Sequence, residues 1–261
     1  MNSISTSDKL VDIQDLDVYY EYDEYLSFNL RDRFVNIVKS PMTQIFNKKK
    51  INKVLIDFDL TVSKGDRVGI LGVNGAGKTT LCRAICGMYY PNKGKISVTK
   101  NIRAIFDTSV GIVPELTGRE NARLLSLLIY PDSTSQERAK YVDDAIQFSE
   151  LGEFIDTPFQ SYSKGMQARL CLSLVSCKES DLLILDEVYD GADEFFQEKI
   201  ANRVLGMIDK SGGVLFVSHS VDNIRKSCNR VIVLDKCSKV FDGNVEDGIN
   251  FYQGLYRKNN G

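Results

Sequence analysis

Apolar positions along this chain follow two rhythms. Short continuous or alternating runs at Val11–Val18, Val54–Leu60, Arg67–Leu71, Leu182–Leu185, Gly213–Val217 and Val231–Leu234 have the pattern of strands. Between them, Thr80–Cys86, Arg119–Ile129 and Gln136–Phe148 carry apolar residues at helical spacing, and a further helix is expected around Glu194–Asp209. Thr117 and Ser135 are the expected N-caps of the two middle helices. Near the end, Val231–Leu234 and the pair around Lys239–Gly243 predict an edge hairpin followed by a short final helix. Strands alternating with helices predict an α/β fold. Residues 1–110 and 163–261 would form an α/β core around a helical subdomain at 111–162, all within one domain. A polar stretch from Glu21 to Lys50, broken at Pro41 and ending on Lys48-Lys49-Lys50, interrupts the first part as an ordered insertion with a charged tip or as a solvated loop.

One strand-to-helix turn carries distinctive chemistry. Gly72-Val-Asn74-Gly75-Ala76-Gly77-Lys78-Thr79 lies between the apolar run Arg67–Leu71 and the helix that opens at Thr80. Glycines at such a turn let several backbone amides point at one anion, so the segment reads as a phosphate cradle. Lys78 would neutralise β- and γ-phosphates, the Thr79 hydroxyl would ligate a bridging Mg²⁺, and Thr80 would border the same phosphates.

Two further segments complete a hydrolytic site. Four apolar residues, Leu182–Leu185, predict a buried parallel strand with Asp186-Glu187 at its carboxyl end, where open α/β sheets bind ligands. Asp186 would hold Mg²⁺ and Glu187 would act as general base on the attacking water. Alone, such an acidic pair reads as a solvated loop; the phosphate loop upstream reverses that reading. His219, the one histidine of the chain, ends the strand run Gly213–Ser218, expected to lie beside the strand of Asp186. It reads as a donor to the transferring phosphate oxygens rather than a structural side chain.

The segment Tyr162-Ser163-Lys-Gly165-Met-Gln-Ala-Arg169 would begin a helix capped by Ser163. Placed after a phosphate loop and before a strand ending Asp-Glu, it resembles the signature motif of ATP-binding cassette ATPases, usually Leu-Ser-Gly-Gly-Gln. Ser163, Gly165 and Arg169 match; Lys164 and Met166 depart. With Asp193 in an aspartate loop and His219 as the switch histidine, the resemblance covers nearly the whole chain. Leu116-Thr-Gly-Arg-Glu-Asn121, Tyr-Ser-Lys-Gly-Met and Gly191-Ala-Asp193-Glu-Phe-Phe look like the ATPase subunits of bacterial polysaccharide exporters, which serve capsule, O-antigen and teichoic acid systems.

That resemblance implies a P-loop cassette with a mixed sheet, a helical subdomain and an antiparallel edge. It implies a homodimer in which Ser163 and Gly165 of one copy close on the γ-phosphate held by Lys78 of the other, with Asp193 nearby, and an integral membrane permease as partner. The pattern further implies an aromatic residue that stacks on adenine. Tyr20 fits it, with neighbouring Tyr22 and Tyr25 or simple packing on the sheet edge as alternatives. The Mg²⁺-sensing glutamine usual between core and helical subdomain is missing from Asn101–Gly111, and Asp107 is its best-placed substitute. The insertion at 21–50 resembles the element that in these exporters approaches the membrane subunit or the cytoplasmic membrane surface, which implies a docking role.

Composition agrees with this. The net charge of -2 leaves no basic surplus to hold nucleic acid. The first residues lack the basic and apolar blocks of a signal peptide, and no apolar run approaches the roughly 20 residues of a membrane span. The chain is expected at the cytoplasmic face of the inner membrane, attached through its partner. Its six cysteines are scattered without a C-x-x-C pair and read as reduced core thiols. No glycan-binding domain is expected after the cassette. The alternatives are a cassette for drug or lipid export, or a soluble cassette ATPase of translation or DNA repair.

Overall fold

The computed structural model describes residues 8–23, 49–106, 111–186, 192–208, 212–218 and 220–259. Nine strands and seven α-helices are formed among them. The strands are β1 (Lys9–Asp23), β2 (Lys49–Ser63), β3 (Arg67–Gly72), β4 (Lys93–Val98), β5 (Ile102–Ile105), β6 (Leu182–Asp186), β7 (Gly213–Val217), β8 (Arg230–Asp235) and β9 (Ser238–Gly243). The helices are α1 (Lys78–Ile85), α2 (Gly118–Ile129), α3 (Ser135–Ser149), α4 (Lys164–Val175), α5 (Glu194–Ile208), α6 (Val221–Ser227) and α7 (Val245–Asn259).

These strands build two sheets rather than one. The order β5-β6-β7-β3-β8-β9 makes a six-stranded sheet, parallel from β5 to β8 with β9 antiparallel at the edge. Strands β2-β1-β4 form a separate antiparallel sheet. The expected insertion at 21–50 is narrower than its polar composition suggested, because Glu21 pairs with Ile51 and Asp23 with Lys49 on the ladder of β1 and β2. Residues 24–48 lie outside the described residues.

Alternation along the parallel strands sends side chains to two cores. Leu182 and Ile184 of β6, Leu215 and Val217 of β7, and Ile70 of β3 face the antiparallel sheet and α1. Leu183, Leu185, Val214, Phe216 and Leu71 face the helices on the other side. Helix α1 buries Leu81, Cys82 and Ile85 completely or nearly so between the two sheets. Each such apolar side chain contributes roughly 1.5–3 kcal/mol. A helix of eight residues, marginal alone, is thereby held fast.

The helical part is organised by polar groups. Thr117 caps α2 in a capping box with Glu120, as expected. Helix α3 is capped by Thr134 rather than Ser135, because Thr134 stands three residues before Glu137 and completes the reciprocal bond pair that Ser135 cannot. Asn121 is fully buried. Its amide accepts from Val113 N at 2.8 Å and donates to the carbonyls of Val113, Leu116 and Thr117 at 2.9–3.1 Å, which folds the 113–117 loop onto α2. Asn121→Ala strips these bonds from the loop, and a loss of about 2–3 kcal/mol in unfolding free energy is expected. Urea denaturation measures it, with the exposed Arg123→Ala as a control expected to stay within about 0.5 kcal/mol.

Candidate functional site

Register in the parallel sheet aligns the carboxyl ends of three strands. Asp186 at the end of β6 pairs with Val217 of β7, and Val217 pairs with Ile70 of β3, two residues before Gly72. By strand alternation Asp186 lies on the side of Ile184, toward α1. Its carboxylate reaches the surroundings of Cys82: burial pushes that thiol well above its ordinary range and the Asp186 charge adds to the rise. Cys82 is therefore a neutral core thiol beside a buried carboxylate.

The loop from Gly72 to Lys78 crosses this edge. Gly77 adopts φ 99° as the residue before α1, and a Cβ there would come within 2.8 Å of the Val54 carbonyl of β2. Only glycine meets both demands. Asn74 and Gly75 are exposed, whereas Ala76 is 3% exposed and anchors the loop in the core beneath. Lys78 is buried, and its ammonium donates to the carbonyls of Gly72 at 2.9 Å and Val73 at 3.3 Å. Thr79 and Thr80 are half-buried on the first turn of α1. That turn has backbone amides without helical acceptors and the positive end of the helix dipole. With a cation folded under it, it makes an anion cradle.

Tyr20 of β1 stands beside this turn. Its hydroxyl meets the side chains of Thr80 and Tyr89, and its ring lies edge-on to that of Tyr89, with centroids 5.6 Å apart at 72°. The structure thus brings Tyr20, Thr80 and the loop together.

The segment after Tyr162 forms α4, with Ser163 as the expected N-cap accepting from Met166 N at 3.2 Å. Ser163 is exposed and Gly165 half-buried. Two stretches distant in sequence set this helix start. A Cβ on Gly118 would run into the hydroxyl of Tyr162, which donates to the Phe154 carbonyl at 2.7 Å. The Leu-Thr-Gly-Arg-Glu-Asn and Tyr-Ser-Lys-Gly-Met segments are thus one packed unit.

Asp193 caps α5, accepting from Phe196 N at 3.0 Å, and pairs with Arg169 of α4, whose Nε donates at 2.8 Å. Burial pushes its carboxyl up, but Arg169 and the Phe196 amide outweigh burial and hold it below the ordinary carboxylate range. Its oxygens thus have partners inside the chain, a link that spacing alone could not reveal. Sequence reading also passed over Tyr89, whose only signal was an aromatic pair before Pro91. Asp107, Glu187 and His219 lie outside the described residues.

The fold and these motifs are matched by known proteins. The chain is 37% identical over 197 residues to the O-antigen export system ATP-binding protein RfbB of Klebsiella pneumoniae, covering 76% of this chain and 79% of that one. It is 35% identical to the teichoic acids export ATP-binding protein TagH of Lactococcus lactis subsp. lactis, covering 76% of this chain but 42% of the relative. Among solved structures, the dimeric post-hydrolysis state of the ATP-binding cassette MJ0796 bound to ADP and Pi superposes with a TM-score of 0.71 over 90% of this chain and 98% of that one. At 19% identity that likeness is one of fold. A family model described as ABC transporter matches residues 55–190, and with the relatives above this places the chain in the ABC transporter family as one of its ATP-binding, ATP-hydrolysing cassettes.

Proposed function

We propose that this chain is the ATPase subunit of an exporter for a lipid-linked cell-surface polysaccharide of capsule, O-antigen or teichoic acid type. It works as a homodimer at the cytoplasmic face of the inner membrane, bound to an integral membrane permease. The observation that carries the catalytic part is the alignment of Asp186, Val217 and the loop after Gly72 at one edge of the sheet. The polysaccharide cargo is supported by the O-antigen and teichoic acid export relatives.

In this reading the backbone amides at the start of α1 hold the β- and γ-phosphates. The Lys78 ammonium, now on the Gly72 and Val73 carbonyls, turns to phosphate oxygens. The Thr79 hydroxyl, on the first turn of α1, and the Asp186 carboxylate, on the face of the sheet toward α1, are hard oxygen donors of the kind that would suit Mg²⁺. An ion held there by Thr79 and Asp186 would neutralise phosphate charge. Glu187, next after Asp186, orients and deprotonates the attacking water, and His219, following Ser218 at the end of β7, donates to γ-phosphate oxygens. Ser163 and Gly165 of a second copy close the site from the other side in this reading, and pairing of two copies is supported by the dimeric state of the MJ0796 cassette.

A membrane partner is supported by the export relatives and by one apolar surface. No helix among the described residues is long and apolar enough to cross a membrane. Between β5 and α2 runs an apolar groove lined by Met88, Ile105, Phe106, Leu125 and Leu128. Met88 and Leu128 are 58% and 65% exposed, costly to leave in water unless something covers them.

Lys78→Ala weakens equilibrium ATP binding about tenfold to a hundredfold, the worth of a charged hydrogen-bonding contact. Glu187→Gln binds ATP but slows steady-state hydrolysis roughly 10²–10⁴-fold. Affinity purification of that variant from detergent-solubilised native cells with ATP and Mg²⁺ recovers a multi-span membrane protein. Recovery of ribosomes or nucleic acid instead would overturn the exporter reading. Leu128→Asp reduces recovery of the membrane protein while the isolated subunit hydrolyses ATP at its usual rate.

A further inference from the structure

The ring of Tyr20 is held from two sides by groups that the phosphate loop does not include. Thr80 and Arg83 lie one helical turn apart on the same face of α1. The Tyr20 hydroxyl meets Thr80 and the Tyr89 hydroxyl, and Arg83 Nη1 donates to the Tyr89 hydroxyl at 3.5 Å. The guanidinium of Arg83 in turn rests 5.7 Å from the centre of the Phe106 ring. Tyr89 meets Tyr20 edge-to-face at 5.6 Å, the arrangement that aromatic quadrupoles favour. Tyr20 nonetheless keeps 36% of its surface exposed, so ring area remains for a ligand.

We infer that Tyr89 is a positioning residue for the nucleotide base: it locks Tyr20 in the rotamer on which the base stacks, with Arg83 fixing Tyr89 in turn. The inference rests on the reading that Tyr20 is the stacking residue. An aromatic side chain already held in one rotamer loses less freedom when a base settles on it, so the lock appears as affinity. The benefit is confined to ligands that carry a base. Thr80 is expected to border the phosphates, but Tyr89 lies outside the loop whose amides and Lys78 serve them. Stacking also tolerates different bases, so ATP and GTP gain alike.

The test measures equilibrium binding of ATP and of tripolyphosphate, which lacks a base, to the full chain carrying Glu187→Gln to suppress turnover. Tyr89→Ala is expected to weaken ATP about threefold to tenfold, the range that an edge-to-face aromatic pair supports, and to leave tripolyphosphate binding unchanged. Tyr89→Phe keeps the ring but loses the hydroxyl that Arg83 and Tyr20 meet, so its ATP affinity is expected to fall between those of the unsubstituted chain and the alanine variant, which guards against a folding defect in the latter. Adding Tyr89→Ala to Tyr20→Ala should cost nothing beyond Tyr20→Ala alone. Equal losses for ATP and tripolyphosphate, or additive losses in the double variant, overturn the positioning role. If Tyr20→Ala weakens ATP and Tyr89→Ala does not, only the role of Tyr89 falls. If Tyr20→Ala leaves ATP binding unchanged, the stacking reading itself fails.

Discussion

The first turn of α1 ends in backbone amides that no helical carbonyl can satisfy, and much of the fold serves to hold that turn still. Gly77 bends into a left-handed conformation against the Val54 carbonyl, so β2 presses on the loop from outside. Leu81, Cys82 and Ile85 are sealed between two sheets, so α1 cannot rotate without opening both cores. Strand β3, which feeds the loop, is paired on both sides, by β7 and by β8. The antiparallel sheet contributes Tyr20 to the candidate site and sets Val54 against the loop, and without it α1 would have one exposed face and the cradle no fixed shape.

A second constraint governs the helical part, where polar contacts decide position. Gly118 makes room for Tyr162, and Tyr162 leads directly into the Ser163 cap. Arg169 then ties α4 to Asp193 at the head of α5. Further along, Lys199 pairs with Glu150 at 2.6 Å and donates to the Phe148 carbonyl, and Arg203 pairs with Asp144, so α5 is bound to α3 as well. Half-exposed ion pairs of this kind contribute only about 0–1 kcal/mol each. Their consequence is geometric: the start of α4 and the start of α5 keep one relative placement.

Much of this was legible in the residues. The strand runs, the helix after the loop, the Ser163 and Thr117 caps and the terminal hairpin all emerged at or near their predicted places, because each is set by period, capping chemistry or turn residues acting over a few positions. Ser135 lost the cap to Thr134 because a capping box needs Glu at the third position onward, a local rule that the apolar period alone does not contain. Strand β4 and the division into two sheets were not legible. Lys93–Val98 has little apolar pattern of its own, and it is a strand because β1 offers it a ladder.

Sequence by itself thus determined the chemistry available to this protein: a glycine-rich loop with Lys78 and Thr79, an acidic residue ending an apolar strand, and a serine-capped helix in the order of a cassette ATPase. These are local patterns, and local physics writes them into adjacent residues. The tertiary structure decided which of these groups meet. Asp186 comes under α1 because strand register and alternation put it there, and Asp193 turns to Arg169 because α4 and α5 pack side by side. Tyr89 reaches Tyr20 across a separation in sequence that no period spans. Pairings of that kind depend on loop closure and on the packing of whole layers, and no window of residues contains them.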